Sequence, residues 1–454
     1  MPLIHLFKSC MAQCRPILRF LLFGLLTSWV YAAPPAVLEV DKVWSGHPVG
    51  FALLTAPPFQ YVAYYDAERR MTVAQRRLDS ERWSYQRLPS SLGWDSHNAV
   101  TLALDRAGQL HVAGNMHGTP LTYFRTTKVG DLATLAVTPM TGEREQRVTY
   151  PVFLKDRAGR LVFRYRDGGS GRGDDLCNVF DEATGKWARL LATPLTDGEG
   201  RRNAYCTPPL LGPDGFFHMA WVWRDTPDCA TNHDLSYAKS ADLARWRDSA
   251  GRELALPLTL RTGEVVDPVP PKGGLLNTNV QVGFDTRARA ILTYHKYDAA
   301  GDLQVYAARR EDDGWTIVQV SDWSGYRWEF GGGGTVVVEV GVGAVEPIGD
   351  GQLLLSYRYP RGTGTWVLDE PTLRPIPGAR APARPAPRFP EAAWRVASAF
   401  PGMGLRQADD AGAAEDGSVY RLVWETLDAN RDLPRPAPWP APSVLRLVRG
   451  ELPK

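Results

Sequence analysis

One motif recurs seven times along this chain, and that recurrence restricts the fold more than any bulk property does. Each copy is a turn followed by a strand of alternating apolar residues that ends in an aromatic or polar cluster. The copies are PFQYVAYYD from Pro58, DRAGQLHVAGN from Asp105, DRAGRLVFRYRD from Asp156 and GPDGFFHMAWVWRD from Gly212, then DTRARAILTYHKYD from Asp285, GDGQLLLSYRYP from Gly349 and EDGSVYRLVWE from Glu415. Their starts lie 47 to 73 residues apart, room for four short antiparallel strands and their loops. Apolar segments precede most of the turns, as at Ala99 and Val280, and a third strand follows, as at Leu121, Leu235 and Leu303. Four-stranded units repeated radially build a β-propeller. The expected fold is therefore all-β, a single seven-bladed propeller with inner strands at 98–104, 151–155, 206–211 and 280–284. A β-helix would need a shorter, more uniform period, and two sandwiches would not repeat one motif seven times.

Composition agrees with this reading. Gly 43, Pro 36, Trp 15 and Tyr 17 accompany almost no stretch of helical period, the pattern of many short strands joined by turns. Residues 1–32 read as a secretory signal: Lys8, Arg15 and Arg19 precede the apolar run Phe20–Val30, and Val30-Tyr31-Ala32 supplies small-residue cleavage. The propeller then occupies 33–454, and the protein is expected in the periplasm or outside the cell, with no membrane anchor after cleavage. Without the leader, 49 basic residues face 50 acidic ones, a balance that gives no reason to expect a nucleic-acid partner. Proline-rich stretches near 374–390 and 433–443 read as surface insertions rather than linkers. Trp83, Trp187, Trp246 and Trp315 close the third or fourth strand of several blades, in settings that look like degenerate Asp-box turns. A monomer is expected.

The hairpin turns provide a ruler, because residues equally far from an antiparallel turn face one another. His97 and His117 are symmetric about the Asp105–Gly108 turn, and Tyr150 and Arg166 about Asp156–Gly159. Tyr205 matches the Trp223–Arg224 step, Asn279 matches His295, and Asn277 matches Tyr297. Four consecutive blades thus place polar or ionisable pairs at one end of their inner strands, where a propeller's channel opens and ligands bind. Tyr and Trp faces suit sugar rings, and Arg suits a carboxylate.

The settings SHNAV and GNMH around His97 and His117, TYP-x11-FRYRDG from Thr149, NAY from Asn203 and WVWRDTPDCATNHDLSYAKS from Trp221 resemble the BNR-repeat propeller family, which includes ulvan lyases and rhamnose–glucuronate lyases. The match spans roughly Ser90 to Asp298. The resemblance implies a lyase that acts on an acidic polysaccharide or oligosaccharide, eliminating the glycosidic bond at O4 of a glucuronate or iduronate. In that reading Tyr150 is the general base and returns the proton, while Arg166 with His97 or His117 holds the uronate carboxylate. Tyr205, Arg224, Asn279, Arg327, Asn98 and Trp223 complete the substrate site. No cofactor is required by that chemistry. Two alternatives stay open: a propeller glycoside hydrolase of rhamnosidase or sialidase type, and a non-catalytic carbohydrate-binding propeller. Against hydrolysis, no close pair of carboxylates is legible at the channel mouth. Cys206 and Cys229 fall at one end of one blade, so a disulfide between them or a structural metal site with His233 is expected as an alternative pair of readings. His218 is expected in the core, and Cys177 as a free buried thiol.

Overall fold

In the computed structural model, residues 36–382 and 387–451 are described, and from Ala36 onward the chain is one compact unit. The leader lies outside the described residues. Strands form seven antiparallel sheets among the described residues, most of them four-stranded, with 3-10 turns as the helical content. The first strands of the successive sheets are Ala52–Ala56, Val100–Leu104, Val148–Lys155, Asn203–Cys206 with Leu210–Leu211, Gln281–Phe284, Gly341–Val342 with Glu346–Gly349, and Met403–Asp409. Ala52–Ala56 lies against both Val100–Leu104 and Met403–Asp409, so the seventh sheet adjoins the first.

The turn motif has a local cause. The Asp156 carboxylate accepts the amides of Ala158 and Arg160 at 2.9 and 2.8 Å, and Asp285 does the same for Arg287 and Arg289 at 3.0 and 2.9 Å. Such side-chain caps turn the backbone within four residues and start the next strand in register. In the second, third and fourth sheets the strand after the turn is strongly buried, and Phe217–Arg224 is buried throughout. Trp187 and Trp246 lie buried on the outermost strands of their sheets, matching the expectation that they close a third or fourth strand.

The last sheet is built from both ends of the chain. Val37–Val43 pairs antiparallel with Ser443–Gly450, outside Val419–Leu427 and Met403–Asp409. This covers an edge that would otherwise expose its backbone donors and acceptors.

Candidate active site

Two departures from regular pairing shape the site. In the third sheet Thr149 faces Arg166 and Val152 faces Arg164, so Tyr150 and Pro151 together oppose the single residue Tyr165. The ruler, which put Tyr150 opposite Arg166, is therefore one residue out, because a bulge adds length on one strand only. Tyr150 sits at φ 53, a left-handed conformation uncommon for a tyrosine, and Thr149 beside it bonds the amide of Gly118. The short strand His117–Thr119 leaves the second sheet and pairs with Val148 and Thr149, carrying His117 to Tyr150. Tyr205 likewise faces Val222 rather than the Trp223–Arg224 step, and Arg224 faces Asn203.

The side chains nevertheless converge. The ring centres of His97 and His117 are 4.3 Å apart, those of Tyr150 and His97 5.9 Å, and those of Tyr150 and Tyr205 6.1 Å. The Arg166 guanidinium lies 4.9 Å from the Tyr150 ring and 5.5 Å from that of Tyr205. Arg224 donates to the Tyr205 hydroxyl at 2.9 Å, and Ser170 shares that hydroxyl at 2.8 Å. A cavity of about 380 Å³ opens among His97, Tyr150, Arg166, Tyr205, Arg224 and Asn277, a volume suited to one or two sugar rings.

Two aspartates that the motif reading did not reach organise the histidines. Asp95 accepts from Nδ1 of His97 at 2.8 Å and Nδ1 of His117 at 2.5 Å, and Asp432 lies 3.2 Å from the same His97 nitrogen. Burial works against the charge on His97, but the bonds to Asp432 and Asp95 outweigh it and raise its pKa to about 9. Burial also opposes ionisation of Asp95 and Asp432, yet their histidine bonds hold both well below the usual carboxylate range. Asp432 further accepts the amides of Ser96 and Thr335 at 2.9 and 2.8 Å, holding Thr335, which with Gly334 lines the cavity, beside the histidines. Gly334, at φ 73, has no room for a side chain: a Cβ would fall 2.5 Å from the Arg431 carbonyl oxygen.

Arg166 and Arg224 are cations without counter-ions among the described residues. Arg144 takes both Asp167 and Asp174, and Arg164 takes Asp175. No carboxylate among the described residues pairs with Arg166, which is 3% exposed and whose Nε and Nη1 lack hydrogen-bond partners. Arg224 bonds only neutral groups: Asn232, Asn277, Tyr205 and Ser170. The two phenols respond in opposite senses. Burial and the neighbouring Tyr205 push the Tyr150 phenol up against the pull of Arg166 and Arg224. At Tyr205 burial is overcome by Arg224 and Arg166, which draw its phenol below the ordinary value.

Other expected site residues lie elsewhere. Trp223 is fully buried against Trp221, because its face of the strand meets the core between sheets, and this corrects its assignment to substrate. Asn279 is buried and bonded to His295 and the Val340 carbonyl. The Tyr65 hydroxyl donates to the Asn98 backbone carbonyl. Arg327 stacks on Tyr297, bonds Glu329 and the Gly301 carbonyl, and does not line the cavity. Cys206 and Cys229 are free thiols: Cys206 bonds Asp175 and Cys229 packs in a different apolar cluster, so the disulfide is not formed. His233 is held between Asp225 and Asp234 and not by the cysteines. The group whose ligand atoms do lie close, within 4.8 Å of one another, is Asp95, His97 and His117. His218 is buried between Asp214 and Tyr237 and Cys177 is a buried free thiol, both as expected.

The fold is that of β-propellers known among polysaccharide lyases. The structure is similar to that of polysaccharide lyase Uly1, with a TM-score of 0.57 at 12% identity, covering 91% of this chain and 98% of that one. It is similar to a PL25 ulvan lyase bound to -[GlcA(1-4)Rha3S]-, with a TM-score of 0.56 at 12% identity over 91% and 96% of the two chains. The chain belongs to the BNR repeat-containing family, whose model matches residues 59–323, more than half of its length. No curated protein matches the sequence.

Proposed function

We propose that this protein is a secreted or periplasmic polysaccharide lyase, active as a monomer, whose seven sheets are seven blades and whose substrate is a uronic-acid-containing glycan. The observation that carries the reading is Arg166, a buried cation with unused donors and no acid partner, beside two phenols of opposed acidity. A uronate carboxylate supplies the missing charge, and its neutralisation acidifies the C5 proton. Groups whose environments split their pKa values are suited to base and acid roles. Tyr205, held toward phenolate by Arg224, takes the C5 proton. The electron pair forms the C4–C5 double bond, the C4–O4 bond breaks, and Tyr150, held as neutral phenol, protonates the leaving oxygen. The base role thus moves from Tyr150, where the motif reading puts it, to its neighbour. His97, whose charge is neutralised by Asp95 and Asp432, lies at the same wall.

Asp95 and Asp432 form a close carboxylate pair at the site, which the case against hydrolysis had not included. Glycoside hydrolysis by a carboxyl pair needs one of them protonated as general acid. Both are held ionised by their histidine and amide donors, and this favours elimination. The deciding experiment incubates the protein with glucuronate-containing polysaccharides. An ultraviolet-absorbing unsaturated end is expected. A saturated product would make it a hydrolase, and no cleavage despite binding would make it a lectin-like propeller.

A further inference from the structure

Beyond the cavity, along the chain from Asp95, three indoles surround one guanidinium. Arg69 lies 3.6 Å from the Trp44 ring centre, 4.7 Å from Trp94 and 5.2 Å from Trp439. The indoles pack edge to face, with centres 5.5 to 5.6 Å apart. Trp44 is buried at the base, Trp94 is half-buried, and Trp439 is 45% exposed. Cation–aromatic stacking explains why the arginine stays there, but not where its donors go. No carboxylate and no hydrogen-bond acceptor among the described residues meets the Arg69 guanidinium, and its nitrogens are not among the buried atoms lacking partners, so they face solvent.

The cluster is continuous with the candidate active site on two sides. Trp94 directly precedes Asp95, which holds both histidines. Trp439 belongs to the proline-rich insertion that follows Asp432, the second carboxylate on His97. His47 lies 5.4 Å from Trp94, ring centre to ring centre, and burial first and then Arg69 lower its pKa to about 4 against the opposing pull of Asp432 and Asp95. Asp432 and the insertion that follows it therefore contribute to the site in turn, the first through a carboxylate and the second through an exposed indole.

We propose that Arg69 with Trp94 and Trp439 forms a second sugar subsite, which binds an anionic sugar unit further along the glycan whose linkage is cleaved at Tyr150 and Tyr205. The proposal rests on the lyase reading for the identity of that glycan. An indole face covers the apolar face of a pyranose ring, while the free arginine donors meet its acid group, either a carboxylate or a sulfate ester. A polymer that fills both subsites gains binding that does not change along the reaction, and this lowers KM without raising kcat.

The test compares wild type with Trp439→Ala, Arg69→Gln and Arg69→Lys. Affinity electrophoresis through gels containing a polymeric glucuronan, a sulfated galactan or a neutral glucan reads binding without turnover. Trp439→Ala and Arg69→Gln should weaken retardation by an anionic glycan roughly tenfold and leave the neutral one unchanged. Arg69→Lys, which keeps the charge, should retain part of it. Dependence on the glucuronan alone assigns a carboxylate, and on the sulfated galactan alone a sulfate. In kinetics, KM should rise for long chains and not for the shortest cleaved oligosaccharide, with kcat unchanged. Unaltered binding of both anionic glycans, or equal KM effects at both lengths, would overturn the subsite. If no glycan yields an unsaturated product but binding still depends on Arg69 and Trp439, the lyase reading falls and the subsite stands.

Discussion

Arg224 both donates to the Tyr205 hydroxyl, at 2.9 Å, and lies over its ring, with the guanidinium carbon 3.9 Å from the ring centre. The arrangement stabilises the phenolate relative to that of an ordinary tyrosine, and, against burial, sets the direction of the Tyr205 shift. A base must be deprotonated to work, so activity should fall as pH drops through the Tyr205 pKa. Arg224→Gln removes the cation and raises that pKa, moving the acidic limb of the kcat/KM profile to higher pH. A limb that stays in place would assign it to another group.

Tyr150→Phe and Tyr205→Phe remove one hydroxyl each from an acid–base pair. Each should lower kcat by roughly 10²–10⁴-fold with folding intact. Near-normal turnover in Tyr150→Phe together with loss of activity in His117→Ala would transfer the proton-handling role to a histidine. Circular dichroism and rates of unsaturated-product formation read both outcomes.

Arg166 should serve function at the expense of stability. A buried cation with no acid partner costs free energy in the unbound protein. Arg166→Met, of comparable length, should therefore match or exceed the wild-type melting temperature while losing roughly 10²-fold or more in turnover. Arg166→Lys keeps the charge without the planar fork and should weaken turnover more than stability. A clear fall in melting temperature in Arg166→Met would show the arginine to be structural.

His97 predicts a pH-dependent stability. Its folded pKa is raised from 6.5 to about 9, so the stabilisation is complete below about 6.5 and is lost as pH rises through about 9. Thermal melting should fall across that window, and Asp432→Asn, which removes one of its two acid partners, should flatten the slope. An unchanged slope in the variant would mean that other groups titrate there.

The cysteines should behave as thiols. Alkylation of the denatured protein without reductant should modify Cys177, Cys206 and Cys229, and reductant should leave the melting temperature unchanged. A mass two hydrogen atoms lighter, with two thiols protected, would restore the disulfide.

The repeats and their turns are legible in the sequence because their causes are local. Asp156 and Asp285 bond amides within four residues, and alternation tells which residues face inward, so seven units follow from contiguous text. The ruler also brought His97, His117, Tyr150, Arg166, Tyr205 and Arg224 to one place. It missed by one residue at Tyr150 because a bulge at Pro151 shifts the register, and no local signal distinguishes that bulge from regular pairing. Trp223 was read as an open aromatic because strand alternation does not say which face meets the next sheet. Asp95 lies in a loop without a turn motif, and Asp432 meets the amide of Ser96 across 336 positions, from the residue just before an insertion that reads as surface. The sequence by itself determined the repeating unit and most of the site's chemical groups. The tertiary structure alone decided which acids were already taken, and so which cations were left free. Pairing of that kind depends on distances between sheets, and these exist only once the sheets have packed.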